Sequence, residues 1–318
     1  MIYQKSGNMP DLAPDPLSSV VALLKPRPDI AKMVVARGRW QVERSEVASP
    51  FYAAIIEGRA RLVVKGQEPV LLEAGDFVMV PAMDSFTMTS EVPPPSGTAR
   101  LPLETGPGVF RLGPADGPVE MRALVGHCRF GAPDRALLLS LLPRMIHISG
   151  QDRLMSLVTM IHDETGADRP ARSMILERLL EVLMIEALRS STGHALPPGL
   201  LCGLSDPRLA AALHRIHDAP DSALSVTGLA RDAGLSRSAF FDRFRSALGC
   251  TPMDYARMWR MAVARGLLMR GGLSNAEIAH RVGYGSASAF AMAFVRQEGM
   301  SPGVFSDRQG KAQRDQDA

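Results

Sequence analysis

The apolar positions of this chain change period near residue 134. Before it they come in short runs broken by Gly and Pro; after it they recur every three or four residues. The first pattern predicts strands at Ala36–Glu43, Phe51–Glu57, Ala60–Lys65, Val70–Glu73, Phe77–Val80 and Met121–Phe130, with a Gly58-Arg59 turn between the second and third. Short strands at this spacing argue for an antiparallel barrel or sandwich. A short helix is expected over Leu17–Leu24, ahead of a break at Lys25–Pro28, and residues 1–16 read as a loose arm. Ser90–Pro118, rich in Pro and Gly, reads as a long loop with a brief strand near Val109–Leu112.

The second pattern predicts helices at Ala136–Leu142, Leu154–Glu164 and Met174–Ser190. In the last of these, Ile175, Leu176, Leu179, Leu180, Val182, Leu183 and Leu188 make an apolar face too broad for a helix lying alone on a surface. It packs on its own barrel, or pairs with a second copy, or both. Thr192–Asp206, with two Pro and three Gly, reads as a linker, followed by a helix at Pro207–His217.

Beyond the linker one unit is written twice. Ala230 and Gly234 recur forty-nine residues on as Ala279 and Gly283. After one extra residue in the second turn, Ser236, Ser238, Ala239, Phe240, Phe244, Gly249 and Pro252 recur fifty residues on, ending at Pro302. A repeat at this period is one supersecondary unit used twice. Each copy reads as a short helix, a turn with Gly, a Ser N-cap and a second helix ended by Gly, which is a helix-turn-helix. A helix of roughly 18 residues joins them, about 27 Å at 1.5 Å per residue. That spacing puts both second helices within reach of successive major grooves, roughly 34 Å apart.

Charge supports a polyanionic partner. Before Asp206, 21 Lys and Arg stand against 22 Asp and Glu; from Asp206 onward 15 stand against 11, and 14 of the 15 are Arg. Hydrophobic content of 46% is enough for packed cores. No apolar run is long enough to span a membrane and the N-terminus lacks the order of a signal peptide, so a cytoplasmic protein is expected.

The outward positions of the first recognition helix are Arg237, Ser238, Phe241, Asp242 and Arg245. Arg can meet phosphate or a guanine edge, and Phe241 a thymine methyl. The second helix offers Ala287, Ser288, Ala291, Met292 and Val295, with Arg296 one place on, so apolar contact or shape readout is what remains to it. Phe240, Phe244, Leu248, Phe290 and Phe294 take the buried spacing.

These residues resemble the AraC/XylS family of bacterial transcription regulators over about 100 residues, from Asp206 to Arg308. Ile278, Ala279, Val282, Gly283, Tyr284, Phe290, Phe294, Gly299 and Pro302 match that family's signature. The resemblance implies promoter binding to double-stranded DNA, activation through RNA polymerase, and DNA contacts at Arg237, Ser238, Phe241, Asp242, Ala287, Ser288, Ala291 and Met292. Asp242 and Met292 depart from it, the family commonly having Arg or another polar group there. Residues 17–190 resemble the cupin-like sensor domain of such regulators, implying an unknown small-molecule or redox effector. The expected fold is α+β: an antiparallel barrel with trailing helices, a linker at 191–205, an all-α double helix-turn-helix over 206–308, and a disordered tail at 309–318.

No catalytic residue, cofactor or metal site is expected. Where metal-binding cupins carry His on inner strands, this chain has Phe51, Tyr52 and Phe86. His127 and Cys128 are adjacent and face opposite sides of a strand, which makes a shared metal site improbable. Cys128 is either a buried small hydrophobe or a redox-sensing thiol, and His147 and His162 read as satisfied core residues. Two other readings stay open: a regulator with degraded base readout acting through protein contacts, and a cupin enzyme fused to a DNA-binding unit.

Overall fold

The structure, a computed structural model, describes residues 15–44, 50–81, 85–95, 101–130, 139, 142–191 and 198–308. Chain contacts divide it into two compact units. One is Leu24–Leu201; the other joins residues 15–23 to residues 202–308.

The first unit is a curved mixed sheet of ten strands: β1 (Pro26–Arg37), β2 (Gln41–Arg44), β3 (Phe51–Val64), β4 (Val70–Glu73), β5 (Asp76–Val80), β6 (Phe86–Thr89), β7 (Leu103–Gly106), β8 (Val109–Leu112), β9 (Val119–Phe130) and β10 (Ile146–Ser149). The main path runs β10-β5-β3-β9-β1-β8-β7, while β2 pairs with β6, and both β4 and β6 pair with β3. Its concave face holds Val34, Trp40, Phe51, Ile55, Leu62, Phe86, Met88, Leu112, Met121 and Val125. Two helices, α2 (Asp152–Gly166) and α3 (Arg172–Ser190), pack over the opposite face of β1 and β9. The first half of β3 is therefore buried on both sides, and its second half alternates.

The α+β class holds, and several details differ from the sequence expectation. The sheet is not wholly antiparallel, because β8 runs parallel to β1 from Met33↔Val109 to Ala36↔Leu112. Ala36–Glu43 is not one strand: β1 ends at Arg37, Gly38 turns the chain at φ +54°, and β2 begins at Gln41. The break expected at Lys25–Pro28 is instead the start of β1: Pro26 is its first residue and Pro28 sits beside a register shift between Pro28 and Ile30, where a missing N–H is tolerated. Phe51–Glu57 and Ala60–Lys65 are a single strand. A bulge between Ile55 and Glu57, with Gly58 at φ +74°, bends β3 so that it pairs with β5 and β9 before the bend and with β4 and β6 after it.

Three strands, β6, β7 and β10, lie outside the strands that the apolar pattern predicts. β10 is only four residues, and its alternation becomes visible only once β5 lies beside it. The expected helix at Ala136–Leu142 falls, apart from residues 139 and 142, outside the described residues, as do residues 1–14 and 309–318.

The second unit is helical: α1 (Pro16–Leu24), α4 (Leu200–Ser205), α5 (Pro207–Asp218), α6 (Val226–Asp232), α7 (Arg237–Leu248), α8 (Pro252–Arg270), α9 (Asn275–Arg281) and α10 (Ala287–Glu298), with a last helical turn at 302–308. Thr192–Asp206 is thus not all linker, since its last third is α4. Most of α1 groups with this unit, although in the sequence it adjoins the barrel; Leu23 lies against Gly266 of α8, where no Cβ intervenes.

Candidate nucleic-acid interface

Both helix-turn-helix units are built from the same local devices. In the first, the Ser225 side chain accepts from Gly228 N at 3.1 Å to open α6. Gly234 turns the chain at φ +63°, and Ser236 accepts from Ala239 N to open α7. In the second, Ser274 and Glu277 form a reciprocal capping box at α9, Gly283 turns at φ +74°, and Ser286 opens α10. The turn is closed by the same bond in each copy, Leu235 N to Ala230 O at 2.9 Å and Tyr284 N to Ala279 O at 2.8 Å. Gly249 and Gly299, both left-handed, end the two recognition helices. At Gly283 a Cβ would fall 2.7 Å from Pro220 O, so that position has no room for a side chain.

The repeated Phe residues form the cores. Phe240, Phe244, Phe290 and Phe294 are each fully buried, which contributes about 1.5–3 kcal/mol apiece. Phe244 meets Tyr255 edge-on, and Phe294 meets Phe305 likewise. The joining helix α8 has 19 residues, about 28 Å. Arg260 ties the turns to it, donating to Ser222 O at 2.8 Å and Gly283 O at 3.4 Å.

On the outer face of α7, Arg237, Ser238, Asp242 and Arg245 are exposed and Phe241 is half-buried. On α10, Ser288, Met292, Val295 and Arg296 are exposed, Met292 by 69%, while Ala287 and Ala291 are half-buried. Among the described residues Arg237, Asp242 and Arg245 make no ion pair, so Asp242 is not neutralised by Arg245. The intervening Arg243 is bound to Asp206, the N-cap of α5, and so belongs to the scaffold. Two more exposed cations, Arg231 and Arg281, end α6 and α9. Spacing alone does not mark them as outward, because both lie next to the turn.

Elsewhere, His127 lies on the concave face against Phe51, ring centroids 5.4 Å apart, and Cys128 is buried on the other. Burial, with Asp29 nearby, pushes the Cys128 thiol up to about 12. His147 Nε2 lies 2.9 Å from Asp76 Oδ2. Burial alone would raise the Asp76 carboxyl, but hydrogen bonds from Ser149, Glu73 N and His147 hold it below its usual range. Among the described residues no three His, Cys, Asp or Glu are grouped to hold a metal ion, and no helix is long and apolar enough to cross a membrane.

Residues 15–192 match the family described as Cupin, and residues 229–308 that described as Helix-turn-helix domain. A putative AraC-like transcription regulator of Streptomyces lividans is 34% identical, over 92% of this chain and 97% of that protein. One from Streptomyces antibioticus is 33% identical over 92% and 98%. The crystal structure of the DNA-binding domain of AdpA, a global transcriptional factor, in complex with a target DNA, is 32% identical and covers 35% of this chain and 99% of that one, with a TM-score of 0.32. With its cupin-like unit, its paired helix-turn-helix motifs and its near full-length likeness to these regulators, the chain belongs to the AraC-like family of DNA-binding transcription regulators.

Proposed function

We propose that this chain is an effector-responsive activator and not an enzyme. On this reading Arg237, Ser238, Phe241, Asp242 and Arg245 read one major groove, while Ala287, Ser288, Ala291, Met292 and Arg296 occupy the next. The observation that carries it is the unequal pair of exposed faces on an equal scaffold. α7 presents Arg237 and Arg245, neither in an ion pair among the described residues, whereas α10 presents Met292 and Val295 with Arg296 at the edge. Such a protein anchors through α7 and takes shape or thymine-methyl contact from α10. It favours an asymmetric or direct DNA site, with RNA polymerase as the protein partner and the cytoplasm as its place of work.

A homodimer fits the outward side of α3, where Met174, Ile175 and Val182 are 63%, 43% and 38% exposed. Footprinting of the full chain on genomic fragments over a range of salt tests the reading. Protection of two adjacent grooves, with affinity falling steeply as salt rises, is expected. Protection of one groove only favours the second reading, a regulator with reduced base readout that works through protein contacts. Salt-insensitive or absent binding removes both.

A further inference from the structure

The concave face of the sheet is filled. Trp40, Phe51, Phe86 and Met88 leave a residual space of about 40 Å³ there, too small for an effector of ordinary size. A larger cavity of about 220 Å³ lies on the opposite face, between the sheet and the helices α2 and α3. At its sheet end is Tyr52, only 2% exposed and laid flat over Gly126, where a Cβ would fall 2.1 Å from the Tyr52 hydroxyl oxygen. Tyr52 lines the cavity, and its hydroxyl has no hydrogen-bond partner among the described residues. It is a donor available to an acceptor placed in the cavity.

At the helix end the cavity meets the first turn of α3, a 19-residue helix. Its N-cap, Ala171, is left-handed at φ 63° and has no side chain to cap the first N–H groups. Arg172 and Ser173 line the cavity there. The acid at its rim, Asp29, is paired with Arg129 at 3.3 Å. Between the two polar ends the wall is apolar, with Ala31, Ile161, Leu176 and Leu180.

The geometry points to a ligand site for a small amphipathic carboxylate on the convex side of the sheet. Its carboxylate meets Arg172 and the α3 N-terminus, its ring or short alkyl chain lies against Leu176 and Leu180, and a polar atom at its far end accepts from Tyr52. The volume is below that of a drug-sized pocket, which limits the body to about one ring. The inference rests on the reading of the N-terminal unit as a sensor, and gives that sensor a ligand class and a place outside the barrel.

The test uses the full chain with 4-hydroxybenzoate, benzoate and hexanoate as acids and 4-hydroxybenzamide as the uncharged control, measured by calorimetry and thermal shift. At least one acid is expected to bind and raise the melting temperature, and the amide to bind at least about tenfold more weakly. Tyr52→Phe and Arg172→Gln are each expected to weaken the acid by about tenfold. Tyr52→Phe without ligand is expected to melt no lower than the parent, because it removes a hydroxyl with no partner among the described residues. Absence of binding by all three acids, equal binding of acid and amide, or affinity unchanged in both variants would overturn the site. A lower melting temperature for unliganded Tyr52→Phe would overturn it too, by showing the hydroxyl in structural use. DNA binding by the unliganded chain is measured alongside, so loss of the ligand site and loss of the regulator reading are separate results.

Discussion

Arg265 and Glu298 pair at 2.7 Å with both side chains only 4% exposed, joining the central helix α8 to the end of the second recognition helix α10. Removing one partner of a buried ion pair leaves a charge without solvent. Glu298→Ala is expected to destabilise the helical unit by about 3–5 kcal/mol, read by denaturant unfolding of the full chain. A loss under 1 kcal/mol would mean that water reaches the guanidinium.

The two recognition helices are expected to respond unequally to substitution. Arg237→Ala and Arg245→Ala should each weaken DNA binding by roughly tenfold and reduce the salt slope by about one. Ala287→Ser and Met292→Ala should change affinity by less than about threefold. Arg243→Ala belongs to another class: losing its Asp206 partner loosens the start of α5, so its effect is expected in melting temperature before salt slope. Equal losses on α7 and α10 would contradict the asymmetry.

His217 supplies a pH dependence. It is 7% exposed, stacked on Trp259 at 3.7 Å, with Nε2 2.8 Å from the Tyr255 hydroxyl. Burial, with His214 nearby, pushes it down to about 3. The native state therefore keeps His217 neutral while the unfolded chain takes up a proton below about 6.5. Its contribution is complete above pH 6.5 and is lost as pH falls from there toward 3, at up to about 1.4 kcal/mol per pH unit. Urea unfolding between pH 7 and pH 4 should show this slope, and His217→Gln should flatten it by about one proton. An unchanged slope in the variant would place the titration elsewhere.

Gly58→Ala tests the bend in β3. The added Cβ would fall 1.7 Å from Glu120 O at a backbone φ of +74°. Backbone cannot move aside as a side-chain end can, so a loss of roughly 3 kcal/mol or more is expected in the sheet. Gly75, also at positive φ but with nothing within 4 Å, should lose about 1 kcal/mol on the same change. Comparable losses at both would attribute the effect to φ alone.

Cys128 should behave as a core residue. With its thiol pushed up to about 12, it holds almost no thiolate at pH 7. Maleimide labelling of the native chain is expected to reach Cys202 and Cys250 well before Cys128. Early labelling or peroxide oxidation of Cys128 would restore the redox-effector reading.

The helix-turn-helix pair was legible because everything that makes it is local. Ser225, Ser236, Ser274 and Ser286 cap helices whose N–H groups are three residues away, Gly249 and Gly299 end them, and the Phe spacing names the buried side. The α+β division was legible from the change of apolar period. Strands were harder, since a strand is completed by partners far along the chain. β10 exists because β5 lies beside it, β1 runs through two prolines because β9 flanks it there, and β3 continues across Gly58 because β9 crosses there.

The site residues divide in the same way. Sequence by itself determined the double motif, its basic bias and the outward set on α7 and α10. Only the tertiary structure decided that Arg243 is spent on Asp206 while Arg237 and Arg245 are not, that α1 packs with the helical unit, and that Tyr52 faces a cavity. Each of these depends on a neighbour dozens of residues away, brought close by packing that no local period encodes.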